Sequence, residues 1–189
     1  MSVARPALSL FQPWASLIAS GTKTLETRSW APHRGLIGNR LWIASTGSMP
    51  KEAKDALRHT TPGFQQLFDA IRAAGFSISW DGRKLLHSMP LGKMLCSVRL
   101  AGAYEMLDAA TATGLPERCL LVAPKRLVLI RPEGDLDVTD QYPYGHFAPA
   151  RWAWHLTDVE PIIAVPVRGR QGIWNWRPTE APEILHPSA

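Results

Sequence analysis

Lys23, Glu26, Arg28, Ser29 and Trp30 stand close together in the stretch GTKTLETRSW, residues 21–30. On an extended chain, side chains two apart share a face, so Glu26 and Arg28 project together. An arginine donates through a planar fork and a carboxylate accepts from an exocyclic amine, so the pair can read the edge of a base. A lysine beside a guanidinium is expected to have a depressed pKa, which would let Lys23 act as a base near neutral pH. The competing reading is an exposed ion pair, which contributes little.

Two later stretches carry related residue types, RWAWH at 151–155 and RGRQGIWNW at 168–176. Arg151, Arg168 and Arg170 are cations set among aromatics. Gly169 and Gly172 allow the backbone to approach a ligand closely. The chain has eight tryptophans against three tyrosines and five phenylalanines. Tryptophan buries a large area in a core, and it is also a platform on which bases stack. At least two of Trp152, Trp154 and Trp174 are expected in the core. The basic turn at 168–170 has no core role available; it is either a ligand contact or a solvated loop.

The elements that must hold these groups follow from pattern. ALSL at 7–10 reads as a strand, and WASLIASG as a helix that Gly21 stops, with Trp14, Leu17 and Ile18 on one face. TLETRSW alternates and reads as a strand; APHRGLIGN is a loop. His33 and Arg34 in that loop are rim contacts or structural groups. RLWIAST is a strand. Helices are predicted over MPKEAKDALRH and PGFQQLFDAIRAAGF, and residues 77–90 are read as loop. GKMLCSVRLAGAYEM is a long strand, 107–126 is short helix and loop, RLVLIRP is extended, and 133–146 is rich in turns. RWAWHLTDVEPI alternates as a strand, and IIAVPVRGRQGIWNW closes the domain with two strands about the basic turn. The last dozen residues are expected to be a loose tail. Several strands with few helices and no βαβ alternation argue for a mixed barrel.

The bulk numbers set limits. A chain of 189 residues fits one domain, and 46% hydrophobic residues suffice for a core. A net charge of +5 permits phosphate contacts without demanding them. No apolar run is long enough to span a membrane, and MSVARPALSLF lacks the form of a signal segment, so a cytoplasmic location is expected. Cys96 and Cys119 lack CxxC spacing and are read as buried thiols. GTKT lacks the order of a P-loop, and GxSxG, HExxH and GxGxxG are missing. The six histidines show no metal-ligand spacing with the cysteines, so neither metal nor cofactor is expected.

LSLFQPWASLIASGTKTLETRSW, PHRG and RLWIAST together closely resemble the ASCH domain, a member of the PUA-like superfamily. RWAWHL and GRQGIWNW look like the C-terminal strands of bacterial ASCH proteins. The resemblance spans most of residues 7–176 and is dense at 8–46 and 145–176. The segment from about 50 to 90 fits no motif and looks like a helical insertion. The resemblance implies an α+β fold, a PUA-like mixed β-barrel with flanking helices. It implies one domain over 1–178 with that insertion and a tail over 179–189.

It also implies a ligand that is RNA, single-stranded nucleic acid or a modified nucleoside. Lys23, Glu26 and Arg28 would line its cleft, with Trp14, Ser29, Trp30, Arg151 and Trp152 nearby and Arg168 and Arg170 on the basic turn. Some small bacterial ASCH proteins hydrolyse the amide of N4-acetylcytidine with a lysine, a threonine three residues later and a distant glutamate. Lys23 matches that lysine, whereas Glu26 stands at the threonine position. In an amidohydrolase, Lys23 would be the base, Glu26 a proton carrier and Arg28 the stabiliser of the oxyanion. A metal-independent ribonuclease and a protein-interaction module complete the alternatives.

Overall fold

The computed structural model describes residues 4–58, 63–81, 84–112, 119–124 and 126–185. Its elements in order are β1 (Arg5–Leu10), α1 (Trp14–Ala19), β2 (Leu25–Arg28), a short 3-10 turn (Arg34–Leu36), β3 (Arg40–Ser45), α2 (Lys51–Ala56), α3 (Phe64–Ala73), β4 (Ile78–Asp81), β5 (Lys84–His87), β6 (Lys93–Asp108), β7 (Cys119–Ala123), β8 (Arg126–Ile130), β9 (Leu136–Asp137), a second 3-10 turn (Thr139–Tyr144), β10 (Trp152–Pro166) and β11 (Ile173–Trp176). The architecture is α+β and dominated by a mixed sheet, consistent with a PUA-like fold. The described residues fall into two compact units, and β6 and β10 contribute residues to both.

The first unit comprises the described residues of Met1–Thr22, Arg40–Val98 and Asp158–Ala189. Its centre is β1, parallel to β3 with Ala7 opposite Trp42, and antiparallel to β11 with Ala7 opposite Trp174. RLWIAS becomes a strand because its apolar run is buried on both faces: Leu41, Trp42, Ile43 and Ala44 are all inside. Ala7, Trp42, Ala44, Met94, Ile162 and Trp176 form one apolar cluster. α1 begins after Pro13, and the Gln12 side chain serves its first turn, accepting from the Ser16 amide at 3.1 Å. Gly21, at φ +78°, ends the helix in the left-handed conformation that glycine adopts without strain.

The second unit comprises the described residues of Lys23–Asn39 and Arg99–Thr157. β7 lies parallel to β6 and antiparallel to β8, which pairs in turn with β9; β2 pairs antiparallel with β10. Its core gathers Leu25, Tyr104, Met106, Leu120, Leu127, Leu129, Val138 and Ala153. Each such leucine contributes about 1.5–3 kcal/mol by leaving water.

Four expectations are corrected. The hydrogen-bonded strand order has β11 and β9 as its ends among the described residues, so hydrogen bonds do not close the barrel. Residues 77–90, read as loop, contain the hairpin of β4 and β5, with Ile78 opposite His87 and Asp81 opposite Lys84. The 50–90 segment is therefore not wholly helical. The stretch 107–126, read as helix and loop, contains β7; residues 113–118 lie outside the described residues. Near the C-terminus, Ile162 bridges Ile184, and the Leu185 amide donates to the Pro161 carbonyl at 2.8 Å, so residues 183–185 are paired to β10. Residues 186–189 of the expected loose tail lie outside the described residues.

Candidate functional site

β2 is a strand with two different faces. Its register sets Leu25 opposite His155 and Thr27 opposite Ala153, while Glu26 faces Trp154 and Arg28 faces Trp152. Leu25 and Ala153 join the apolar cluster of their unit. Glu26 and Arg28 project to the other side, as the period of a strand requires. Two charged side chains are thereby laid beside two indoles.

Lys23 sits just before the strand and is 1% exposed. Its Nζ lies 3.4 Å from Glu26 Oε2 and donates to the Tyr144 carbonyl at 2.8 Å and to the Leu25 carbonyl. Three oxygens thus surround a group that carries three N–H donors when charged. Burial lowers its pKa from the ordinary lysine range; Glu26 opposes that shift, and Arg28 adds a smaller lowering. The expected depression of Lys23 is therefore present, but its main cause is desolvation and not the neighbouring guanidinium.

Glu26 is buried between two cations. Arg28 Nε approaches Glu26 Oε1 to 3.1 Å from the side opposite Lys23 Nζ. That N–H nevertheless has no hydrogen-bond partner, because the contact is close but not aligned as a hydrogen bond. The ion pair holds Arg28 in place while leaving a donor unused. The Arg28 side chain stays partly open to solvent.

The aromatic wall is built from both strands. Trp154 is fully buried, meets Trp30 edge-on with ring centroids 4.8 Å apart, and donates from Nε1 to the Trp30 carbonyl at 3.3 Å. Trp30 is 37% exposed, so one part of its ring is anchored and the rest faces water. Trp152 is half-buried and Ser29 is exposed. Of Trp152, Trp154 and Trp174, only Trp154 is wholly in the core. Trp174 is partly buried against the cluster of its own unit and donates to Ser9 Oγ at 3.0 Å.

The residues around Thr139–Tyr144 supply what side-chain patterns did not reveal. Gln141 is buried; its Oε1 accepts from the Thr24 amide at 2.7 Å and from the Leu25 amide at 3.4 Å, fixing the entry to β2. Thr27 Oγ1 accepts from the His146 amide at 3.2 Å, and Arg151 Nε donates to the His146 carbonyl at 3.2 Å. A Cβ on Gly145 would sit 2.8 Å from the Thr27 methyl, so only glycine lets this loop lie so close to β2. The Tyr142-Pro143-Tyr144-Gly145 turn was visible in sequence. Its contribution is a main-chain carbonyl and a glycine surface, which no motif of side chains announces.

The structure brings Lys23, Glu26, Arg28, Trp30, Arg151 and Trp152 into one unit, with Ser29 beside them. Trp14, half-buried at the start of α1, and the exposed Arg168 and Arg170 belong to the other unit. There, a Cβ on Gly169 would fall 2.5 Å from Ser9 Oγ, which pins the basic turn against β1 and leaves the flanking arginines outward. Among the described residues, no group of three His, Cys, Asp or Glu is placed to hold a metal ion, and no helix is long and apolar enough to cross a membrane.

Comparison with known proteins agrees with the sequence resemblance. A family model described as the ASCH domain matches residues 8–133, well over half of the chain. Activating signal cointegrator 1 of Mus musculus is 59% identical over 44 residues, which cover 23% of this chain and 7% of that protein. Activating signal cointegrator 1 of Homo sapiens is 57% identical over 44 residues, again 7% of its length. The similarity to these relatives is thus confined to a short segment of each.

Proposed function

The chain belongs to the ASCH domain family, and on that premise we propose that it binds RNA or single-stranded nucleic acid, taking one base, ordinary or modified, at Glu26 and Arg28 against Trp30. The observation that carries this reading is the Glu26–Arg28 pair, held 3.1 Å apart with the Arg28 side chain partly open to solvent, in the same unit as an aromatic ring that is anchored yet open to water. An acceptor, a guanidinium partly open to solvent and a stacking surface are the three elements that recognise an unpaired base. Lys23 in this reading sets the charge and position of Glu26 without touching the ligand. The family's association with RNA agrees with that reading. A titration of fluorescein-labelled single-stranded RNA at several salt concentrations tests the proposal. Affinity should fall as salt rises, and Arg28→Ala should weaken it; unchanged binding in that variant at low salt defeats the reading.

A second reading, hydrolysis of N4-acylated cytidine, has one observation in its favour: the lowered pKa of Lys23. Three acceptors around its Nζ weigh against a free base in this conformation. Incubation with N4-acetylcytidine decides it. Release of cytidine that disappears in Lys23→Ala supports an amidohydrolase, and the lack of any product excludes it.

A further inference from the structure

The inserted segment between β3 and β6 contains a hollow of about 610 Å³, whose lining includes Met49, Lys54, Lys84, Leu85, His87 and Leu91. Its lysines come from two elements, Lys54 from α2 and Lys84 from β5, and β5 also supplies His87. Among the described residues, no carboxylate lines it. Among the described residues neither lysine has an acidic partner: Asp55, next to Lys54, is engaged by Lys51 at 3.3 Å and Arg58 at 3.0 Å, and Asp81, the register partner of Lys84, makes no ion pair with it. His87 Nδ1 is buried without a hydrogen-bond partner.

The two elements are clamped to each other. Trp80 of β4 donates from Nε1 to the Leu57 carbonyl at 2.9 Å, just past the end of α2, and the Arg58 guanidinium lies over the Trp80 ring at 4.3 Å. The base of the hairpin is closed where the Ser88 amide donates to the Ser77 carbonyl at 3.1 Å and the Ser77 amide donates to Ser88 Oγ at 2.8 Å. Two like charges on separate elements repel, and bracing those elements together with no ion-paired carboxylate on either lysine among the described residues leaves a place for an anion.

We propose that this hollow binds a phosphate group, with Lys54 and Lys84 as its charges, His87 as a polar partner, and Met49, Leu85 and Leu91 as an apolar wall for whatever the phosphate is attached to. Lysine serves phosphate as a point charge, and an apolar wall beside a few convergent polar groups is the usual make-up of a small-molecule pocket. The phosphate can be a monoester on a nucleotide or the diester of an RNA backbone. The inference does not depend on the Glu26–Arg28 reading, since it uses none of the same residues.

The test is a titration of the full chain with inorganic phosphate, uridine monophosphate and uridine at matched ionic strength, followed by amide NMR. Both phosphates should shift residues 47–49, 54 and 84–87 saturably, and uridine should not. The Lys54→Ala/Lys84→Ala variant, which removes two exposed side chains and should fold normally, should bind phosphate at least about tenfold more weakly. Equal shifts from uridine, or unchanged saturation in the double variant, overturn the proposal. Competition by RNA oligomers with and without a terminal phosphate separates the sources: preference for the terminal phosphate marks a monoester, and equal competition marks the backbone. Arg28→Ala should leave phosphate binding here intact, so the failure of one site is distinguishable from the failure of the other.

Discussion

Lys23 donates from Nζ to the Tyr144 carbonyl at 2.8 Å, joining a residue two positions before β2 to a turn 121 positions later. The same ammonium lies 3.4 Å from Glu26, so one buried cation fixes both a loop and a carboxylate. The site is therefore organised around a group that the solvent does not reach.

Replacing Lys23 by methionine should be costly. It leaves Glu26 with Arg28 alone and takes the donor from two carbonyls, and removing one partner of a buried pair costs about 3–5 kcal/mol. Urea unfolding should show that loss, and Lys23→Met/Glu26→Leu should recover part of it. A single variant as stable as wild type would show that Lys23 does not hold the strand.

Truncating Arg28 should act on the ligand more than on the fold, because its side chain is partly open to solvent. Loss of a charged hydrogen bond costs about 1.5–3 kcal/mol, which is about tenfold to a hundredfold in affinity. Anisotropy of labelled single-stranded RNA measures this, with the thermal midpoint expected to move little.

Trp30→Ala should weaken RNA binding by about 1–3 kcal/mol if a base stacks there. It also removes the edge contact to Trp154 while leaving the Trp30 carbonyl in place. Tryptophan fluorescence should be quenched by RNA in wild type and less so in the variant; equal quenching would place the base elsewhere.

His155 makes a prediction about acid. Burial lowers its pKa below the ordinary 6.5, with Arg131 lowering it further and Glu133 opposing, and its ring meets Tyr104. Between the folded pKa and 6.5 the unfolded chain holds a proton that the folded chain lacks. Stability contributed by His155 is therefore present above 6.5 and is lost as pH falls through that window. His155→Gln should lose less stability than wild type between about pH 7 and about pH 5, as measured by urea midpoints.

The cysteines should be silent. Burial raises the pKa of Cys96, and burial with Asp135 and Glu105 raises that of Cys119. Neither thiolate is available in the native chain. Ellman's reagent at pH about 8 should react with neither thiol until denaturant is added.

What sequence made legible was the part that obeys a period. The alternation of Glu26 with Arg28, and of Trp152 with Trp154, places each pair on one face whatever the surrounding fold. GTKTLETRSW and RWAWH could therefore be matched before any contact was known. The carbonyl of Tyr144 and the glycine surface at 145 escaped, because they are properties of backbone brought near by tertiary structure. The hairpin at Ile78–Asp81 and Lys84–His87 escaped for another reason: its exposed face carries Ser79, Asp81, Lys84 and Leu86, and a short strand with little buried surface resembles a loop. The depression of Lys23 was expected from charge repulsion, but how deeply a side chain is buried cannot be read from its neighbours in sequence.

The two-faced β2 also restricts how such a site can change over time. Substitutions at 26 and 28 alter what the open face offers while Leu25 continues to fill the core. Deleting or adding one residue would send Leu25 to the site and a charge into the apolar cluster, since a one-residue slip exchanges the faces of a strand. Lineages carrying this strand can vary its ligand by replacing letters, but not by changing its length.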